Sequence, residues 1–361
     1  MKQSRKKIMA GLLAAVLSCS FAFATEAATR NEIAQVTVNK KGSDFRYWNK
    51  DAASYQALTS YVRDVTNKKS ANFIPPEDRV AVFDMDGTFV CETAPYYFEW
   101  MLYLERALYD KDYTPSQEMR DYAQAIEAGI RKKGQFPKGV DVGEAKAQEA
   151  VFAGMTPGEY EAYVQRFMEK PVEGLTNLKW GEAFYLPMVE VIKYLQANDF
   201  SVYVVSGSDR PTVRILVSEL LQISPGNVIG SDPKIIAAGQ GDKDGQDYVY
   251  GKNDYLVRGE LIEKNLKMNK VSSIAKEIGK QPVLAFGNSS GDTSMLNYAV
   301  YGNKYKSAAF FVLCDDTVRE RGNLEKAEKC RQLAAENGWT PISMKDDFAT
   351  IYGDGVTRTG K

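Results

Sequence analysis

Four short apolar segments, widely spaced along the 361-residue chain, constrain the possible folds more than any other feature of the sequence. Each has the length of a buried β-strand, and helical patterns separate the later segments from one another. Strands that alternate with helices are typical of a parallel α/β sheet, which we therefore predict. The apolar segments are 80–83, 202–205, 283–286 and 308–313, and the helical patterns are 187–198, 210–221, 271–278 and 324–337.

One long interval breaks this alternation, because residues 89–180 are mostly helical in pattern and rich in Tyr, Phe, Glu and Lys. A chain of this length forms two domains or one large domain with an insertion. We therefore predict an inserted α-helical domain at 89–180. Residues 25–77, with one amphipathic stretch at 52–69, are a predicted N-terminal lead-in. The polar residues 239–254 are typical of a hairpin or loop.

Residues 1–24 have the pattern of a secretory signal peptide. Four basic residues precede an apolar run at 8–24, and Ala22-Phe23-Ala24 matches the small-x-small pattern of a cleavage site. We predict cleavage after Ala24 and export to the periplasm or the extracellular space. Two alternatives stay open: the run remains as a membrane anchor, or the lipoprotein-like box at 16–19 directs a lipid anchor to Cys19.

Removal of this segment leaves three cysteines, Cys91, Cys314 and Cys330, in an exported chain. Because the number is odd, at least one thiol has no intramolecular disulfide partner. Cys314 and Cys330 either pair or pack as reduced side chains, and the sequence leaves both readings open.

The chain contains no histidine. It therefore cannot build a Ser-His-Asp or Cys-His nucleophile, a histidine general base or a His-ligated zinc site. Any acid/base catalysis must come from carboxylates, Lys, Tyr or Cys. The formal net charge of −1 gives no electrostatic reason to expect a nucleic-acid partner.

The first predicted strand leads directly into Asp84 and Asp86, followed by Gly87 and Thr88. Ligands bind at the carboxyl ends of parallel strands, and residues i and i+2 of a strand point the same way. We expect both carboxylates to face one crevice, where their repulsion calls for a cation. Oxygen ligands of this kind suit Mg²⁺, the predicted cofactor. The alternative is a solvated acidic turn.

The second and third predicted strands also end in polar residues. Ser206 and Gly207 follow the second strand, where glycine lets the backbone approach a ligand and the next helix start presents N–H groups to an anion. This pattern predicts a phosphate site, but it also fits an ordinary helix N-cap. Asn288 and Asp292 follow the third strand and offer oxygen ligands to a metal.

Three lysines, Lys264, Lys267 and Lys270, precede the third predicted strand. One ammonium group can balance the charge of an anionic substrate. The others are expected to lie on a solvated helix face.

Taken in order, these motifs resemble the four-motif signature of the haloacid dehalogenase-like (HAD) hydrolase superfamily. Over residues 78–350 the chain is most similar to the phosphoserine-phosphatase-like phosphatases. The resemblance implies a Rossmann-like core at 78–88 and 181–361, with a helical cap inserted at 89–180. The matching motifs are Asp84-x-Asp86-Gly87-Thr88, Ser206, one lysine and Gly287-Asn288-x-x-Gly291-Asp292.

The resemblance also implies a role for each matching residue. Asp84 is the expected nucleophile that forms an aspartyl-phosphate, and Asp86 is the expected general acid/base. Thr88 and Ser206, with Gly207, are expected to bind the phosphoryl oxygens.

The implied metal site consists of Asp84, the backbone carbonyl of Asp86, Asn288 and Asp292. Lys270, or Lys267 as the second choice, is expected to balance the charge of the nucleophile and the phosphate. Asn288 is a departure, because the corresponding residue of phosphoserine phosphatases is Asp. An amide oxygen brings less charge to Mg²⁺, so Asp292 is expected to carry more of the metal binding.

The start of the predicted cap holds the candidate substrate residues. Glu92 lies close to where related phosphatases place an acid that contacts the substrate. Tyr96, Tyr97 and Trp100 either surround a trimethylammonium group by cation–π attraction or form the core of the cap.

We therefore predict an exported, Mg²⁺-dependent phosphatase that hydrolyses small organic phosphomonoesters. Asp86 favours this reading over a dehalogenase, because the dehalogenases of the superfamily lack the second aspartate of the first motif. A phosphotransferase would use the same intermediate with an alcohol as acceptor. Asn288 also leaves open a catalytically weakened binding protein on a HAD scaffold. The sequence does not specify an oligomeric state.

Overall fold

The computed structural model describes residues 27–132 and 135–359, and a seven-stranded sheet lies at its centre. The strands are β1 (Val80–Phe83), β2 (Ser201–Asp209), β3 (Val228–Ala237), β4 (Leu256–Glu263), β5 (Leu284–Gly287), β6 (Ala308–Leu313) and β7 (Thr340–Ser343). Their order across the sheet is β4-β3-β2-β1-β5-β6-β7. Neighbouring strands are parallel except for β3 and β4. The predicted α/β class, with a Rossmann-like parallel core and inserted helices, is confirmed.

Helices precede the sheet, separate its strands and form the insertion. They are α1 (Arg30–Ala34), α2 (Ala53–Thr66), α3 (Phe98–Leu104), α4 (Gln117–Arg131), α5 (Val140–Phe152), α6 (Pro157–Met168), α7 (Leu186–Ala197), α8 (Arg210–Leu221), α9 (Met268–Glu277), α10 (Thr293–Val300) and α11 (Leu324–Asn337). Helices α3 to α6 all lie between β1 and β2 in the chain, within the predicted cap.

Strand β1 is apolar throughout because the sheet is covered on both faces. Ala81 and Phe83 pack into one hydrophobic cluster, and Val80 and Val82 pack into another. Alternate residues of a strand point to opposite faces, so the two clusters cover the two sides of the sheet. Such burial is typical of parallel sheets.

The helical insertion is attached to β4 around Arg258. The Gly154 N–H, between α5 and α6, donates to the Arg258 carbonyl at 2.8 Å, and the Arg258 N–H donates to the Met155 carbonyl at 2.9 Å. The buried Arg258 side chain also pairs with Glu149 of α5 at 2.5 Å and with Asp209 at the end of β2 at 3.1 Å. These contacts hold the insertion against the strand that leads into the candidate site.

The segment before β1, predicted as a lead-in, packs against the core. The Trp48 indole N–H donates to the Pro187 carbonyl at 2.7 Å. The buried Glu190 carboxyl of α7 accepts the backbone N–H groups of Arg46 at 2.6 Å and Tyr47 at 3.0 Å. The segment is therefore part of the folded unit around the sheet.

Three strands were not indicated by the sequence pattern: β3, β4 and β7. Strand β3 contains a glycine and a proline, and much of β4 is exposed, so neither forms a continuous apolar run. The predicted hairpin or loop at 239–254 lies within the connection between these two antiparallel strands. Strand β2 extends to Asp209, beyond the predicted end at 205.

The predicted signal peptide and Cys19 lie outside the described residues. Cys91, Cys314 and Cys330 are buried free thiols, so Cys314 and Cys330 form no disulfide in this structure. Across 27–132 and 135–359, no helix is both long and apolar enough to cross a membrane.

The titration of Glu190 is expected to make the stability of the protein depend on pH. Burial raises the pKa of Glu190 to about 7, although the N–H groups of Arg46 and Tyr47 oppose that rise. As pH rises, the unfolded carboxyl loses its proton near pH 4.3, before the folded one does. The folded state should lose on the order of 3 kcal/mol of stability over this interval.

Glu190→Gln removes this titration. The free energy of unfolding of the variant, relative to wild type, should rise by about 3 kcal/mol between pH 4 and pH 8 in urea denaturation. Glu336→Gln, at an exposed position of α11, is the control. If the free energies of unfolding of Glu190→Gln and wild type differ by the same amount at both pH values, Glu190 is not the group that titrates.

Candidate functional site

A cavity of about 320 Å³ opens at the carboxyl ends of the central strands. Asp84 and Asp86 follow β1, Gly207 and Ser208 lie near the end of β2, and Asn288 follows β5. All five residues line the cavity. The sheet thus brings together three polar motifs that lie far apart in the chain.

Asp84 is buried, and its two carboxylate oxygens have different partners. Oδ1 accepts a hydrogen bond from Lys270 Nζ at 2.6 Å, and Oδ2 accepts one from the Thr88 hydroxyl at 3.3 Å. Burial, followed by the charge of Asp292, raises the pKa of Asp84 to about 7. Lys270 opposes this rise and therefore favours the ionised, nucleophilic form.

Lys270 lies near the start of α9 and is 1% exposed. Its ammonium group also donates to Asp292 Oδ1 at 2.8 Å. Burial lowers the pKa of Lys270, but the charges of Asp292 and Asp84 outweigh burial and leave that pKa raised. Lys267, the second choice, is exposed at the rim of the cavity. The structure therefore places Lys270 against Asp84.

Asp292 organises the loop that follows β5. Its Oδ2 accepts the N–H groups of Asn288 and Ser289, both at 3.1 Å, while Oδ1 holds Lys270. Both oxygens of Asp292 are thus used within the protein. Asp292 thus positions Lys270 and Asn288, and its contact with a metal stays a prediction.

Asp86 lies beside Asp84 and has one carboxylate oxygen available. The Ser208 hydroxyl donates to Asp86 Oδ2 at 2.8 Å, whereas the buried Oδ1 has no hydrogen-bond partner among the described residues. Burial, followed by the charge of Asp84, raises the pKa of Asp86 well above its ordinary value. The raised pKa favours the protonated form of Asp86, and Oδ1 is the oxygen without a partner that can carry the proton.

Gly87 allows the loops after β1 and β5 to approach each other closely. Its φ of +78° lies in the left-handed region that favours glycine. A Cβ atom at this position would lie 1.9 Å from Asn288 Nδ2 and 2.5 Å from Glu92 Cδ. Any side chain larger than hydrogen would push these two residues away.

The oxygen donors beside Asp84 fit a hard divalent cation such as Mg²⁺. Asn288 Nδ2 is buried without a hydrogen-bond partner in the described ranges, and the nitrogen and oxygen of an amide exchange places by rotation. The rotated amide would offer its oxygen to a cation held by Asp84 and the Asp86 backbone carbonyl. No three acidic or sulfur side chains of the described residues form a metal cluster alone. The amide and the backbone carbonyl are therefore needed as donors.

The residues expected to bind phosphate lie at different depths. Ser206 is fully buried, and its hydroxyl accepts the Ser208 N–H at 3.0 Å. Thr88 is also fully buried, with its hydroxyl on Asp84. Gly207 and Ser208 are the residues of the second motif that line the cavity. The second-motif surface that a phosphate would meet thus comes from Gly207 and Ser208.

The candidate substrate residues lie in the first part of the insertion, and Glu92, Tyr97 and Trp100 line the cavity. Glu92 is buried and pairs with Lys326 of α11 at 2.5 Å. The ring of Tyr96 packs against those of Tyr97 and Trp100, with centroid distances of 4.4 and 4.8 Å. The aromatic residues form one packed cluster, and Tyr97 and Trp100 expose part of it to the cavity.

Several cavity-lining residues were not identified as site residues from the sequence, among them Ser208, Glu99 and Lys326. Ser208 lies two residues beyond Ser206 on the same strand, so strand alternation was an available signal. Glu99 and Lys326 come from helices α3 and α11. No local pattern relates either residue to the motifs after the strands.

The family comparison agrees with this fold. The family model of the haloacid dehalogenase-like hydrolases matches residues 81–297, and the chain belongs to this family. A search of the curated proteins found no match.

Several solved structures are similar to this chain at low sequence identity. A conserved protein of unknown function from Anaerococcus prevotii DSM 20548 is 15% identical, with a TM-score of 0.48 over 82% of this chain and 92% of its own. Cytosolic 5′-nucleotidase IIIB bound to cytidine is 11% identical, with a TM-score of 0.47 over 84% of this chain and 89% of its own. A phosphoserine phosphohydrolase-like protein from Francisella tularensis subsp. tularensis SCHU S4 is 14% identical, with a TM-score of 0.36 over 65% and 87%. Likeness at this level identifies neither an activity nor a substrate.

The close approach at Gly87 can be separated from simple backbone strain. Gly154 has a similar φ of +81°, but a Cβ atom there would meet nothing within 4 Å. Gly154→Ala should therefore cost only about 1–2 kcal/mol of strain. Gly87→Ala should cost about 1–3 kcal/mol more, because its methyl group overlaps Asn288 and Glu92. Urea denaturation measures both, and equal losses would show that the loops are not in close contact.

Proposed function

We propose that this protein is a Mg²⁺-dependent phosphatase that hydrolyses small organic phosphomonoesters through a phosphorylated Asp84. One observation carries the proposal: the Asp84 carboxylate, held by Lys270, lies beside Asp86, whose raised pKa and available oxygen suit a proton donor. A nucleophilic carboxylate next to a separate acid is what two-step transfer of a phosphoryl group requires.

In the first step, an Asp84 oxygen attacks phosphorus and the bond to the leaving oxygen breaks. The leaving alkoxide takes the proton of Asp86, so the products are an alcohol, an aspartyl-phosphate and an ionised Asp86. Ser208 donates a hydrogen bond to Asp86 and stabilises that ionised form.

In the second step, Asp86 takes a proton from water, and the resulting hydroxide attacks the phosphorus of the aspartyl-phosphate. Inorganic phosphate leaves, Asp84 is again a carboxylate, and Asp86 is again protonated. Lys270 favours the carboxylate form of Asp84 as the leaving group. Each residue thus returns to its starting state.

A Mg²⁺ ion would be held by Asp84, the Asp86 backbone carbonyl and the Asn288 amide oxygen. When bound, it supplies positive charge that offsets the repulsion between Asp84 and the anionic phosphate. Export of the enzyme rests on the leader pattern of residues 1–24, which lies outside the described residues.

Phosphate release from a panel of small phosphomonoesters tests the proposal. Wild type should turn over with Mg²⁺ and stop with a chelator. Asp84→Asn should release no phosphate, because an amide neither attacks phosphorus nor is regenerated by water. Asp347→Asn, which alters a half-buried aspartate bonded to Ser54, is the matched control. Turnover by Asp84→Asn would refute the nucleophile, and faster turnover with added alcohol would indicate a phosphotransferase.

The role of Asp86 predicts a dependence on the leaving group. An alkyl alkoxide needs a proton, whereas an aryl phenolate leaves without one. Asp86→Asn should therefore slow aspartyl-phosphate formation by about 10²–10⁴-fold with an alkyl phosphate, and far less with an aryl phosphate. Single-turnover phosphorylation measures this step. Equal losses for both substrates would mean that Asp86 is not the general acid.

A further inference from the structure

A second, larger cavity of about 810 Å³ adjoins the candidate active site. The two cavities share Glu92, Tyr97 and Lys326 as lining residues. The two cavities are therefore neighbours.

The second cavity is basic. Its described lining residues include four cationic side chains, Arg131, Arg321, Lys326 and Arg358, and one carboxylate, Glu92. A concave surface with one sign of charge concentrates the electrostatic field and attracts ligands of opposite charge.

Two of these cations have no carboxylate partner among the residues that the structure describes. Arg131 pairs with Glu173 at 2.8 Å, and Lys326 pairs with Glu92 at 2.5 Å. Within 27–132 and 135–359, no carboxylate forms an ion pair with Arg321 or Arg358. Both are incompletely exposed, so an unbalanced charge here is not fully solvated.

Arg358 is anchored through one donor and has another donor without an acceptor. Its Nη1 donates to the Thr317 carbonyl at 2.6 Å, which fixes the position of the guanidinium group. Its Nε is buried and has no acceptor among the described residues. Guanidinium donors of this kind bind carboxylate and phosphate oxygens with strong, charge-assisted hydrogen bonds.

The wall of the second cavity is aromatic. Tyr96 and Phe136 line it, with their ring centroids 5.4 Å apart. An apolar wall beside cationic donors suits a ligand with a hydrocarbon or flat middle part and an anionic end.

We propose that this arginine cavity, defined by Arg321, Arg358 and Lys326, binds a second anionic group on the leaving group of the substrate. The substrate is then a phosphomonoester whose alcohol carries a carboxylate or a second phosphate, separated from the scissile phosphate by an apolar segment. A trimethylammonium group does not fit, because the cations of the cavity would repel it. This inference rests on the proposed function and specifies its substrate class.

Matched substrates test the arginine cavity. The phosphate esters of a short, a medium and a long ω-hydroxycarboxylic acid are each compared with the alkyl phosphate of the same length. Diphosphorylated diols of the same lengths distinguish phosphate from carboxylate as the second anion. The measured quantity is a ratio of two kcat/KM values. The numerator is the value for the ester that carries a second anionic group, and the denominator is the value for the alkyl phosphate of the same length.

In wild type this ratio should exceed one at the length that spans the two cavities. Arg321→Gln and Arg358→Gln should each lower it by about 10-fold, the loss typical of a charge-assisted hydrogen bond. Arg166→Gln is the matched control, because Arg166 of α6 is an arginine that lines a different cavity. An equal ratio in wild type and both cavity variants would overturn the inference.

A binding measurement tests the arginine cavity independently of the proposed phosphatase activity. The unreactive phosphonates of the same carboxylate and alkyl pairs are titrated calorimetrically into wild type and the two cavity variants. If wild type hydrolyses no phosphomonoester, the proposed function fails. Preferential binding of the carboxylate phosphonate that is lost in Arg321→Gln would still support the cavity, and equal binding of both phosphonates would refute it.

Discussion

The contact between Lys270 and two buried carboxylates is the interaction on which the candidate site depends. Asp84 follows β1 and Asp292 lies beyond β5, and each holds one side of the same ammonium group at 2.6 or 2.8 Å. Without that cation, two carboxylates removed from water would repel each other, at a cost of several kcal/mol. Lys270 therefore allows the loops after two neighbouring strands to bring acidic side chains into one cavity.

A second buried cation fixes the helical insertion beside that cavity. Arg258 of β4 joins Glu149 of the insertion to Asp209, whose Oδ2 accepts the Thr212 N–H at 3.0 Å and so caps α8. Asp209 directly follows Ser208, the hydrogen-bond donor to Asp86. The insertion is thus connected to Asp86, the proposed proton donor, through Arg258, Asp209 and Ser208.

The parts of the fold that were predictable are those governed by local burial. Segments buried on both faces of the sheet are apolar throughout, and the predicted helices at 210–221 and 324–337 coincide with α8 and α11. Strands β3, β4 and β7 lack that pattern, because they are short, partly exposed or interrupted by glycine and proline. At the site, Asp84, Asp86, Lys270 and Asn288 come together as expected. Ser206 and Thr88 are fully buried with their hydroxyls bonded to the protein itself, and their contact with phosphate stays a prediction.

The sequence by itself determined the α/β class, the order of the motifs and the exclusion of histidine chemistry, because these follow from local pattern and composition. Only the tertiary structure decided which lysine contacts Asp84. Lys267 and Lys270 have the same side chain, and only their positions in the fold distinguish them. The tertiary structure also decided that Asp292 is occupied by N–H groups and a lysine, and that Lys326 and the two arginines face the same region as Glu92. These contacts join residues far apart in the chain, where no periodicity or spacing relates one side chain to another.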